Sequence, residues 1–171
     1  LVGHSMGGYG ATRIGMKHAE TFGALYLMSP CCLSARDGFG MDEAALAQVA
    51  AMTSPAQSEG LPFGLRAQLA VAAAWSPNPQ NAPLYLDLPA GDEEQRKAVL
   101  AKWAANAPLA FVDQYIGDMR RYAATAMDVG DQDSLKTDTE SLLKVLASNG
   151  IANCFTLYEG THTSHVAYRF Q

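Results

Sequence analysis

The sequence predicts an α/β protein, a mostly parallel sheet flanked by helices, and three observations lead there. Short apolar runs at 23–30, 123–129 and 151–158 have the length of buried strands. The run at 23–30 follows a predicted helix at the distance that a parallel crossover needs. Ahead of them, Leu1-Val2 leads straight into Gly3-His4-Ser5-Met6-Gly7, a G-x-S-x-G turn, and then into a run of small residues. Such a turn joins a buried strand to a helix and lifts the serine hydroxyl above the sheet edge.

The serine of this turn is forced into a strained backbone, so its neighbours must be small; Gly3 and Gly7 are expected to meet that demand. Residues 9–19 read as a helix of small side chains able to pack closely on a sheet. The run at 23–30 follows as a strand and closes on Pro30. From Cys31 to about Leu109 the texture changes. Glycines and prolines, from Gly38 and Gly40 through Pro89, punctuate alanine-rich pieces. Segments 41–52, 65–75 and 92–106 read as helices, the last opening with acidic residues in its first turn. No alternation there is long enough for a sheet strand. Residues 31–107 are therefore read as a helical cap inserted between core segments 1–30 and 108–171. The core resumes with a helix over 108–121 and a strand over 123–129. Segment 133–148 is the clearest amphipathic helix, with Leu135, Leu142, Leu143, Val145 and Leu146 on or near one face. Asn149-Gly150 supplies its stop. Residues 151–158 alternate as a last strand ending at Gly160, and 164–170 form a short helix covering the sheet.

A chain of 171 residues with 49% hydrophobic and 17% charged residues has the composition of one globular domain with a real core. The net charge of −5 and the absence of any Lys/Arg run argue against a nucleic-acid partner. No stretch reaches the roughly 18 uninterrupted apolar residues of a membrane span. Cys31, Cys32 and Cys154 lack the spacing of a disulfide framework or a metal site and read as buried free thiols, which favours a reducing, cytoplasmic compartment.

A serine is a poor nucleophile at neutral pH without a general base, and that base needs a group to fix its tautomer. Both follow Ser5 in the order Ser, Asp, His, each just after a predicted strand. Asp133 is the acid favoured by the spacing of Gly130-Asp131-Gln132-Asp133, with Asp131 in reserve and Asp128 inside or at the end of the strand. An N-cap of the next helix is the competing role for Asp133. His162, preceded by Gly160, is the favoured base. His4 is expected to point away from Ser5, His18 to lie near solvent, and His165 to follow later on the same loop.

The pieces Gly3-His4-Ser5-Met6-Gly7-Gly8-Tyr9-Gly10-Ala11, Asp128-Val129-Gly130-Asp131-Gln132-Asp133 and Tyr158-Glu159-Gly160-Thr161-His162-Thr163 resemble the "Putative esterase" family of α/β-hydrolases. That family includes S-formylglutathione hydrolases, acetyl and feruloyl esterases and antigen-85-type mycolyltransferases. The resemblance covers both ends of the chain and not the insertion. It implies the C-terminal part of an α/β-hydrolase fold and a serine hydrolase acting on small carboxylic esters or thioesters through an acyl-enzyme. Ser5 is then the nucleophile of a nucleophile elbow, Asp133 the acid, His162 the base, and the Met6 backbone N–H an oxyanion donor. No metal or organic cofactor is implied. The family's early strands, and the loop that carries its second oxyanion donor, have no counterpart in this sequence. The 171 residues are therefore expected to work beside an N-terminal segment, upstream or on a second chain; homo-oligomers stay open. Acyl transfer to an alcohol, a catalytically incomplete fragment and a non-catalytic relative are the alternatives. Phe63, Trp75, Tyr85 and Trp103 are candidates either to line an acyl or aromatic site roofed by the insertion or to form the insertion's core.

Overall fold

The structure, a computed structural model, describes residues 1–35 and 41–170; Gly38 and Gly40 lie outside the described residues. Strands β1 (Val2–His4), β2 (Ala24–Met28), β3 (Ala124–Gly130) and β4 (Cys154–Tyr158) form a parallel sheet in the order β1-β2-β3-β4. Its register aligns His4 with Met28, Met28 with Asp128 and Gly130 with Tyr158, so the carboxyl ends of the strands gather at one edge. Helix α1 (Met6–Lys17) joins β1 to β2. Helices α2 (Glu43–Ala50), α3 (Phe63–Trp75) and α4 (Glu93–Asn106) come next, then α5 (Pro108–Phe111) and α6 (Ile116–Met119) before β3. Helix α7 (Lys136–Ser148) joins β3 to β4, and α8 (Val166–Arg169) follows β4. No helix among the described residues is long and apolar enough to cross a membrane.

The chain divides into two compact units, Leu1–Ser34 with Ala107–Gln171, and Ala35–Asn106. The core of the first lies on one face of the sheet. Alternate positions Leu25 and Leu27 of β2 and Met127 of β3 meet Ala11 and Met16 of α1, Ile116 and Met119 of α6, and Leu142 and Leu146 of α7. Each fully buried Leu, Ile or Met contributes roughly 1.5–3 kcal/mol by leaving water. In the second unit the Trp75 and Trp103 rings meet edge to face at 6.3 Å. The buried Trp103 indole N–H donates to Ser76 Oγ at 2.8 Å, which satisfies the one polar atom of that ring. Phe63 and Tyr85 lie at the surface, 83% and 54% exposed, so only the two tryptophans of the four aromatic candidates are core.

Several element limits differ from the sequence reading, each for a packing reason. The expected helix over 108–121 is broken into α5, a 3-10 turn at Val112–Tyr115 and α6. Phe111 (φ −131°) and Tyr115 (φ −116°) leave helical geometry at the breaks, while Val112, Ile116 and Met119 all reach the core. Helix α7 starts at Lys136 rather than 133, because residues 133–135 form a turn closed by the Lys136 N–H donating to the Asp133 carbonyl at 3.1 Å. The last strand starts at Cys154; Ile151 is buried in the segment before it. The cysteines are free, but Cys31 and Cys32 are only half-buried and Cys154 is exposed on β4.

A buried charge pair ties α8 to the strand ends. Arg169 Nε donates to Asp128 Oδ2 at 3.0 Å and its Nη2 to Oδ1, with side chains 7% and 3% exposed. Arg169 Nη1 also donates to the Tyr158 hydroxyl at 2.6 Å, and the Tyr26 hydroxyl donates to Asp128 Oδ2 at 2.5 Å. Burial, reinforced by that bond to a carboxylate, pushes the Tyr26 hydroxyl up to about 12. Removing one member of a buried pair leaves the other charge without compensation. Asp128→Ala is therefore expected to lower unfolding free energy by about 3–5 kcal/mol, read from the shift of the urea midpoint. A change under about 1 kcal/mol would show that the pair does not hold α8 in place.

Candidate active site

Ser5 sits between β1 and α1 with φ 56° and ψ −118°, a left-handed conformation that costs a non-glycine residue roughly 1–3 kcal/mol. Three backbone hydrogen bonds at 3.0 Å hold it there: Ser5 N–H to the Met28 carbonyl, and the Tyr9 and Cys31 N–H groups to the Ser5 carbonyl. Close backbone approach makes two glycines obligatory. A Cβ on Gly3 would lie 1.9 Å from the Gly7 carbonyl oxygen, and one on Gly8 would lie 2.8 Å from Pro30 Cα. A Cβ on Gly7 would meet nothing within 4 Å, so the crowded pair is Gly3 and Gly8, not Gly3 and Gly7 as expected from the motif. Gly3→Ala should lower stability by about 3 kcal/mol, whereas Gly7→Ala, inside a helix and facing open space, should not lower it. Equal denaturation midpoints for the two variants would contradict this packing.

The strand ends bring Ser5, His162 and Asp133 together. His162 Nδ1–H donates to Asp133 Oδ2 at 2.8 Å, and the Ser5 hydroxyl donates to His162 Nε2 at 2.8 Å. A carboxylate only accepts, so it sets this tautomer and leaves Nε2 free to accept. The Asp133 side chain is 1% exposed, and its other oxygen accepts the Leu135 N–H at 2.9 Å. The helix-start role considered for Asp133 is thus a turn bond made by Oδ1, while Oδ2 faces the imidazole. The His162 side chain remains 35% exposed.

The other acids and histidines are engaged elsewhere. Asp131 Oδ1 accepts the Gly160 N–H at 2.9 Å, and Asp131 N–H donates to the Tyr158 carbonyl, which ties the loop after β3 to the loop after β4. Gly160 itself has φ 149° and no room for a Cβ, which would lie 2.6 Å from Ser164 Cβ. Asp128 belongs to the Arg169 pair. His18 is exposed beside Glu20, and the His165 ring meets Tyr158 edge to face at 6.2 Å. His4 also contacts this group, which the motif alone does not reveal. Its Nε2–H donates to the His162 backbone carbonyl at 2.9 Å, and the two rings lie 4.7 Å apart with a 32° tilt. The only sequence signal was its position as the last residue of a strand whose carboxyl end carries the site. Met6 opens α1, where first-turn N–H groups have no partner within the helix, and it is 56% exposed. Among the described residues no group of three or more His, Cys, Asp or Glu could hold a metal ion.

The sequence matches the model of the family described as "Putative esterase" over residues 1–169. No curated protein matches it. Among solved structures the chain is similar to a ferulic acid esterase at 21% identity, covering 99% of this chain and 46% of that one, with a TM-score of 0.55. It is also similar to the substrate-bound fluorophosphonate-binding serine hydrolase F of Staphylococcus aureus (16% identity, 94% and 46% covered, TM-score 0.52). An esterase of Pyrobaculum calidifontis aligns at 15% identity over 99% of this chain and 46% of its own, with a TM-score of 0.50. These likenesses show an α/β-hydrolase fold, and the chain spans less than half the length of these three structures.

Proposed function

We propose, from the premise that this chain belongs to the "Putative esterase" family, that it carries the catalytic residues of a serine hydrolase for carboxylic esters or thioesters. The observation that supports this most is the unbroken hydrogen-bond chain from Ser5 Oγ through the His162 imidazole to Asp133, at 2.8 Å in each step. In the proposed reaction Ser5 Oγ attacks the carbonyl carbon while its proton passes to His162 Nε2. Asp133 stabilises the imidazolium. His162 then gives that proton to the departing alkoxide or thiolate, leaving an acyl-Ser5 ester. Water enters, loses a proton to Nε2 and attacks the ester, and the acid product leaves as Ser5 regains its proton.

Charge develops on the carbonyl oxygen in both tetrahedral intermediates. The Met6 N–H, at the positive end of α1, is the donor proposed to meet it, and one such donor is worth roughly 10²–10³ in rate. The left-handed backbone at Ser5 fits this reading, since strain held by three backbone bonds positions a hydroxyl before substrate arrives. Steady-state hydrolysis of short-chain p-nitrophenyl esters and acyl thioesters tests it. Saturable turnover is expected, and a rate no greater than that of heat-denatured protein would contradict it.

A further inference from the structure

We infer that His4 is a positioning residue that clamps the general base to the turn carrying the nucleophile, an inference that rests on the catalytic reading above. The base sits on the irregular segment between β4 and α8. That segment is tied down on either side of His162: the Gly160 N–H donates to Asp131, the Tyr158 hydroxyl to the Thr161 carbonyl at 3.3 Å, and the Thr161 N–H to Ser164 Oγ at 3.0 Å. His4 contributes the bond made to the backbone of His162 itself, at 2.9 Å. A carbonyl only accepts, so His4 carries its proton on Nε2.

The location of this donor gives the bond its consequence. His4 closes β1 and is covalently joined to Ser5, whose own N–H is pinned to Met28. The base and the nucleophile are thereby referenced to one rigid strand end rather than to a strand and a separate loop. The His4 ring, 4.7 Å from the His162 ring, also occupies space beside the imidazole and limits its rotation away from Ser5. His4 lies outside the Ser5–His162–Asp133 proton path, so it acts through His162. Loosening the clamp lets the Oγ–Nε2 separation drift, and misplacement of about 1 Å can cost on the order of 100-fold in rate.

The test compares fluorophosphonate labelling of Ser5 and p-nitrophenyl acetate hydrolysis across wild type, His4→Phe and His4→Gln. Phenylalanine keeps an aromatic face and loses the donor; glutamine loses the ring but can place an N–H near the former Nε2. His4→Phe is expected to lower both the labelling rate and kcat about tenfold, the scale of one lost hydrogen bond, with KM unchanged. His4→Gln should restore most of that loss. Labelling of His4→Phe at the wild-type rate, a raised KM with kcat retained, or no rescue by glutamine would each overturn the proposal. Wild type that fails to label at Ser5 would instead overturn the catalytic reading, and the clamp with it. A long-range 1H–15N spectrum of the wild-type protein, which needs no variant to fold, should show the His4 proton on Nε2. A neutral ring protonated on Nδ1 would refute the clamp independently of activity.

Discussion

Ser5→Ala is expected to abolish ester hydrolysis, with kcat falling on the order of 10⁶-fold, the loss seen when a serine hydrolase loses its nucleophile. The substitution removes one oxygen and leaves the turn intact. The bonds that hold residue 5 at φ 56° are all made by its backbone N–H and carbonyl, which alanine retains. The loss should therefore fall on turnover without a change in circular dichroism. Substrate binding should survive, because uniform binding contacts are untouched and only transition-state chemistry is removed. Unchanged hydrolysis by the alanine variant would remove Ser5 from the reaction.

Asp133→Asn should be the next most damaging change, lowering kcat about 10⁴-fold. Asparagine preserves the shape and can still accept the Leu135 N–H through Oδ1. Its amide then presents N–H groups to His162 Nδ1, where a carboxylate had accepted a proton. The imidazole must turn that nitrogen into an acceptor, which moves its proton to Nε2 and disables it as a base toward Ser5. Because the side chain is 1% exposed, solvent does not rescue the arrangement. Asp131→Asn is the matched control, since its Oδ1 accepts the Gly160 N–H and an amide oxygen can do the same. Near-wild-type rates are expected for Asp131→Asn. The reverse ranking of the two variants would assign the acid to Asp131.

Much of this was legible because the relevant signals are local. The apolar runs at 23–30 and 123–129 announce β2 and β3, whose Leu25, Leu27 and Met127 are buried in the core. The G-x-S-x-G segment signals its turn through steric demand alone, although the motif does not say which glycines are crowded. Pro30, which comes from the next strand's end, makes Gly8 obligatory, and nothing near Gly7 does the same for it. Likewise the break of the 108–121 segment has no proline or glycine at Phe111 or Tyr115 to announce it; the geometry follows from placing Val112, Ile116 and Met119 into one core. The choice among Asp128, Asp131 and Asp133 depended on which partners the folded chain presents: Arg169 from α8, Gly160 from the loop after β4, and His162. His4 was the hardest to read. Its partner lies 158 positions away, so only the meeting of β1 with the loop after β4 reveals it.

Ser5 and His162 are expected to act together as a working nucleophile and base. The most direct measurement is the intact mass of the 171-residue chain before and after treatment with a fluorophosphonate, followed by peptide mapping. A single adduct on Ser5, absent from Ser5→Ala, is the predicted result. An unchanged mass, or an adduct on any other residue, would contradict that pairing.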